Sequence, residues 1–111
     1  MLAILIGLAI FYYWDGKDDS QVFVTITLAE DGFEPKIIKV KKGTEIVFKN
    51  TDTKSHWPAS DFHPTHGIYP EFDPLKGINS GEEWLVVLKP GKWPYHDHLY
   101  PSFVGTIEVE N

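Results

Sequence analysis

Beyond residue 20 the apolar side chains tend to fall at every second position, the period of a β-strand whose two faces meet different surroundings. Residues 21–29 (QVFVTITLA) put Val22, Val24, Ile26 and Leu28 on one face and Phe23, Thr25 and Thr27 on the other. Asp31-Gly32 then supplies a turn. Residues 33–40 (FEPKIIKV) form a second extended run, which Pro35 assigns to a sheet edge because proline cannot donate to a ladder. Residues 44–50, 82–88, 92–96 and 103–110 complete the set, with turns at Lys42-Gly43 and Lys89-Pro90-Gly91. In the last run Phe103, Gly105, Ile107 and Val109 oppose Val104, Thr106 and Glu108. Short strands parted by turn signals, with no long helical pattern between them, predict an all-β sandwich or barrel.

Two stretches break this rhythm. Residues 51–80 show no alternation, and Pro58, Pro64, Pro70 and Pro74 rule out a regular strand or helix through most of them. A loop that long inside a small domain is expected to be functional or to carry local structure of its own. The other stretch is residues 2–14 (LAILIGLAIFYYW), uncharged and apolar. As a helix it would span about 20 Å, short of the roughly 30 Å hydrocarbon core. Tyr12, Tyr13 and Trp14 suit an interfacial aromatic belt, and the acidic DGKDDS that follows suits an outside-facing flank. We therefore expect a short apolar N-terminal helix, acting as signal or membrane anchor (residues 1–14), an acidic linker (15–20) and one domain (21–111). The domain is expected outside the cytoplasm, in the periplasm or at the cell surface.

Composition narrows the function. The 111 residues carry a net charge of −6, which argues against nucleic-acid binding, since that needs clustered cations to displace counterions. There is no cysteine, hence no disulfide, thiolate metal site or catalytic thiol. Gly-x-Ser-x-Gly and phosphate-loop patterns are absent, and Glu82 and Glu83, as strand neighbours, point to opposite faces and make a poor acid/base pair. The chain is read as a non-enzyme. Lys36, Lys39, Lys41 and Lys42 are read as a solvated edge that discourages strand pairing. Trp57, Phe62, Tyr69, Phe72, Trp84 and Trp93 are expected to cap the core and order the long loop.

The candidate chemistry lies in histidine. All five fall between positions 56 and 98: His56, His63, His66, His96 and His98. Two groups stand out, H-P-T-H-G at 63–67 and H-D-H at 96–98. On a strand His96 and His98 leave one face while Tyr95 and Asp97 leave the other, so the pair can pinch one ion and a loop histidine can complete its shell. We take His56, His63, His66, His96, His98 and Asp97 as the candidate metal ligands. Cu(II) is the expected metal and Zn(II) the alternative.

Residues 33–110 resemble the cupredoxin family. Asn50-Thr51-Asp52-Thr53-Lys54-Ser55-His56 is similar to the N-x-D-x-x-x-H that carries the family's first copper histidine. The stretch from Tyr95 to Gly105 is similar to its Y-x-C-x-x-H-x-x-M-x-G closing loop, followed by the G-x-I-x-V strand at Gly105, Ile107 and Val109. The resemblance implies a Greek-key β-sandwich that binds copper, with a role in copper handling or electron transfer. It also implies a changed site. Asp97 stands where the family has cysteine, Tyr100 where it has the second histidine, and Phe103 where it has methionine. Asp97 and Tyr100 are then ligands or acceptors that orient the imidazoles. The H-x-H around Asp97 is similar to the H-C-H of multicopper oxidases, whose flanking histidines serve a second copper cluster on the side away from the cysteine. A metal-free interaction module at the cell surface is the alternative reading, and a redox role in an oligomer a third.

Overall fold

The computed structural model describes residues 22–111, so the expected N-terminal helix, anchor and linker lie outside the described residues. Eight strands follow in order: β1 (Phe23–Ala29), β2 (Gly32–Glu34), β3 (Ile37–Lys41), β4 (Glu45–Asn50), β5 (Pro58–Ser60), β6 (Glu83–Val87), β7 (Gly91–Asp97) and β8 (Val104–Glu110). They form two four-stranded sheets, one in the order β2-β1-β4-β6 and the other in the order β3-β8-β7-β5. The alternation read along the chain is the division between inside and outside. Ile26, Leu28, Ile46, Phe48, Tyr95, Ile107 and Val109 are buried between the sheets, and Phe23 and Thr25 face out. Burying these side chains contributes roughly 1.5–3 kcal/mol each relative to leaving them in water.

The run at 33–40 is not one strand. Pro35 and Lys36 divide it: β2 pairs antiparallel with β1, whereas β3 crosses to the other sheet and pairs parallel with β8. Proline here marks a crossover, and each half ends up on the edge of a different sheet. The edge formed by β3 exposes Lys39, which lies 3.5 Å from Glu110, together with Lys41.

The long loop closes one end of the sandwich. Among its residues Tyr69, Phe72 and Ile78 join the core, and Phe72 packs with Phe48, Trp84 and Tyr95 at ring separations of 5.9, 6.1 and 5.2 Å. Trp84 and Trp93 pack against the same core, while Phe62 stays exposed. The loop also contributes β5, which pairs with β7 so that Ala59 lies opposite His96 and Pro58 opposite Asp97. Among the described residues no helix is long and apolar enough to cross a membrane.

Candidate metal centre

Strand β7 sorts the histidine region into two compartments. Trp93, Tyr95 and Asp97 point between the sheets, and Pro94 and His96 point to the outer face. Tyr95 belongs to the core. Asp97 is fully buried at the end of that interior, where it meets His56. His96 and His98 lie across the sheet from it, under the segment 61–73.

The inner compartment is saturated. His56 Nδ1 lies 2.6 Å from Asp97 Oδ2, and its Nε2 lies 2.8 Å from Asp52 Oδ2. Both partners are carboxylates, so each ring nitrogen is already engaged by the protein. Asp97 Oδ1 accepts from the Trp57 and Leu99 amides, each at 3.0 Å. The loop that brings His56 there is organised by Asn50, whose Nδ2 donates to the Lys54 and Ile78 carbonyls and whose Oδ1 accepts from the Asp52 amide, all at 2.8 Å. Tyr100 and Phe103 lie against the His56 ring, at 5.4 and 6.4 Å. The hydrogen bond from His56 holds the Asp52 carboxyl below its ordinary range.

The outer compartment gathers the other four histidines. His63, His96 and His98 each offer a nitrogen within 4.8 Å of the others. The His66 ring lies 5.1 Å from that of His96 and 4.9 Å from that of His98. His96 is held by its backbone on β7 and by Asp61, whose Oδ1 lies 2.8 Å from Nδ1. Its Nε2 is buried and has no hydrogen-bond partner. His66 Nδ1 lies 2.7 Å from Asp73 Oδ2. The Nε2 of His66 faces His98 Nδ1 at 3.1 Å. The Trp57 ring packs on His98 at 4.6 Å, and its indole donates to Asp73 Oδ1 at 2.8 Å.

Such a cluster suits a cation. A neutral imidazole that donates Nδ1–H to a carboxylate keeps a lone pair on Nε2; at His66 that nitrogen faces His98, and at His96 it is buried without a partner. Burial, followed by the neighbouring His66, His63 and His96, lowers the pKa of His98, partly opposed by Asp73, and so favours the neutral form that binds metal. At Asp73 burial pushes the carboxyl up. Hydrogen bonds from His66, the Leu75 amide and Trp57 outweigh it, and the net shift is downward.

Of the six residues expected to ligate, the structure brings His63, His66, His96 and His98 together and leaves His56 and Asp97 on the other side of the sheet. Nothing about spacing separates them, because His56 and Asp97 are paired across 41 positions. Asp61 and Asp73 were not singled out from sequence. Their only signal is proximity to His63 and His66, and it misleads for Asp61, which holds His96 instead.

The sequence profile of the "Cupredoxin-like domain" family matches residues 2–109. The chain belongs to that family. A search of curated protein sequences gives no match. Among solved structures, a copper-containing nitrite reductase from Thermus scotoductus superposes with a TM-score of 0.68 at 24% identity, over 81% of this chain and 23% of that one. A reduced amicyanin variant gives 0.66 at 19% identity, over 78% of this chain and 81% of amicyanin. A purple cupredoxin from Nitrosopumilus maritimus gives 0.63 at 17% identity, over 78% and 99%. At these identities the likeness establishes the fold. In this cupredoxin the inner compartment is where the family-like positions His56, Asp97, Tyr100 and Phe103 meet, and the four-histidine cluster lies outside it.

Proposed function

We propose that this cupredoxin binds Cu(II) without sulfur, through His63, His66, His96 and His98 on the outer face of the sheet, outside the cytoplasm. One observation carries the proposal: His96 has a buried, unpartnered Nε2, its ring packs against those of His63 and His66, and it offers a nitrogen within 4.8 Å of nitrogens on His63 and His98. An orphaned buried nitrogen costs about 1–3 kcal/mol, which a bound cation would remove. Nitrogen donors suit Cu(II), and the copper named in the similar nitrite reductase and amicyanin structures supports copper over zinc. Copper would supply a redox-active charge there. The residues themselves orient the rings, exclude sulfur and keep His96 from water. The role that fits is copper handling or electron transfer, with residues 1–14 as the tether.

Titrating the full chain with Cu(II) should give one equivalent bound, a weak visible band and nitrogen hyperfine structure, without intense thiolate absorption. His96→Ala/His98→Ala should abolish uptake, and His56→Ala should preserve it. Absence of stoichiometric uptake by the wild-type chain would instead support the metal-free interaction module.

A further inference from the structure

Four rings meet on the outer face, but they do not stand alike toward an ion. Among the described residues the nitrogens that gather within 4.8 Å of one another belong to His63, His96 and His98, and His66 contributes none to that group. Both nitrogens of the buried His66 are already met. Nδ1 lies 2.7 Å from Asp73 Oδ2, and Nε2 lies 3.1 Å from His98 Nδ1.

The order of protons along this chain follows from its first member. An ionised carboxylate only accepts, and Asp73 is one: its hydrogen bonds outweigh the burial that opposes ionisation. His66 therefore carries its proton on Nδ1 and, as a neutral ring, keeps its lone pair on Nε2. That lone pair faces His98 Nδ1, which is then the protonated nitrogen of His98. The lone pair of His98 falls on Nε2, the nitrogen left for a cation. The 3.1 Å contact has one other reading, two ligands on a single ion. That reading needs the His66 nitrogen to stand within the group from which it is missing.

His96 is served by a shorter chain. Asp61 touches its Nδ1 directly, at 2.8 Å, and leaves the buried Nε2 unpartnered. At His98 an imidazole stands between carboxylate and ring. Trp57 packs on the His98 ring at 4.6 Å, which limits its tilt without choosing which nitrogen carries the proton. A hydrogen bond to one nitrogen makes that choice.

We infer that His66 is a positioning residue and not a ligand: it accepts the Nδ1 proton of His98 and so presents His98 Nε2 to a metal shared with His63 and His96. The inference rests on the copper reading above and divides its four histidines into three donors and one support.

Pulsed electron paramagnetic resonance of the full chain loaded with Cu(II) counts the imidazoles on the metal, and competition with a chelator of known affinity reads the binding strength. Wild type should show three imidazoles. His66→Ala should still show three, with copper bound about 10- to 100-fold more weakly, the cost of removing the partner that orients a ligand. His66→Gln returns an acceptor oxygen near the lost Nε2 and should recover most of that affinity, again with three imidazoles. Its count and affinity carry the test if the alanine variant does not fold. Four imidazoles in wild type and three in either variant would make His66 a ligand and overturn the inference while the copper reading stands. So would an unchanged affinity in His66→Ala, or an equal loss in both variants, which points to packing of the ring rather than acceptance of a proton. A wild-type chain that takes up no copper fails the copper reading itself, and this inference with it.

Discussion

The two faces of the segment around Asp97 use the same chemistry to opposite ends. Between the sheets, carboxylates occupy both nitrogens of one imidazole, His56. Outside, a carboxylate occupies a single nitrogen on each of two rings, His66 and His96; the remaining nitrogen of His66 faces His98, and that of His96 is buried without a partner. A carboxylate on one side of a neutral imidazole strengthens the other side as a donor; carboxylates on both sides leave no ring nitrogen unengaged. The number of acidic partners per ring therefore separates a closed compartment from an open one, although both are rich in histidine and aspartate.

The largest expected effect comes from breaking the closed side. His56→Ala strands the buried Asp97 carboxylate and should destabilise the fold by about 3–5 kcal/mol in urea or thermal unfolding. Copper stoichiometry of the folded fraction should not change. If that variant folds fully and loses copper, the two compartments are one site and the contrast fails. Gly105→Ala is the neutral control for both sides. A Cβ there would lie 2.6 Å from the Tyr95 ring and hydroxyl, and the overpacking should cost about 1–3 kcal/mol while leaving the copper spectrum intact.

Acid should separate the two compartments in order. His98 has its folded pKa below the ordinary 6.5, so its contribution to stability is present above that value and is lost as pH falls from it through the folded value. Asp52 and Asp73 are also lowered, from 3.8, so theirs persist above that value and disappear only in stronger acid. Metal-free protein should thus begin to lose stability below about pH 6.5, with His98 the first of these groups to titrate in an NMR series. Persistence of both compartments unchanged to pH 4 would contradict this order. The smallest effect is a gain: Tyr95 keeps a buried hydroxyl without a partner, and Tyr95→Phe should raise stability by about 1 kcal/mol in chemical denaturation.

Much of this architecture is legible in local pattern. Alternation in residues 21–29, 44–50 and 103–110 assigns the inward faces of β1, β4 and β8 because a strand's period is local. Pro35 was legible as a restriction and not as a crossover, since its missing donor is equally satisfied at an edge or between sheets. The H-x-H pair was legible for the same reason as the strands. What spacing could not convey was the partner of each ring. His56 carries a family-like motif, but Asp52 and Asp97 close on it from 4 and 41 positions away and engage both of its ring nitrogens. Asp61 and Asp73 look like ordinary loop acids until tertiary closure aims them at His96 and His66.

Phe72 and Asp73 are consecutive, so the plug of the hydrophobic interior and the carboxylate that holds His66 share one point of attachment. The segment over the cluster is accordingly no free-swinging lid. Uncovering His66, His96 and His98 would uncork the core, and any ion reaching them would pass by His63, the ring of the four that already stands in solvent.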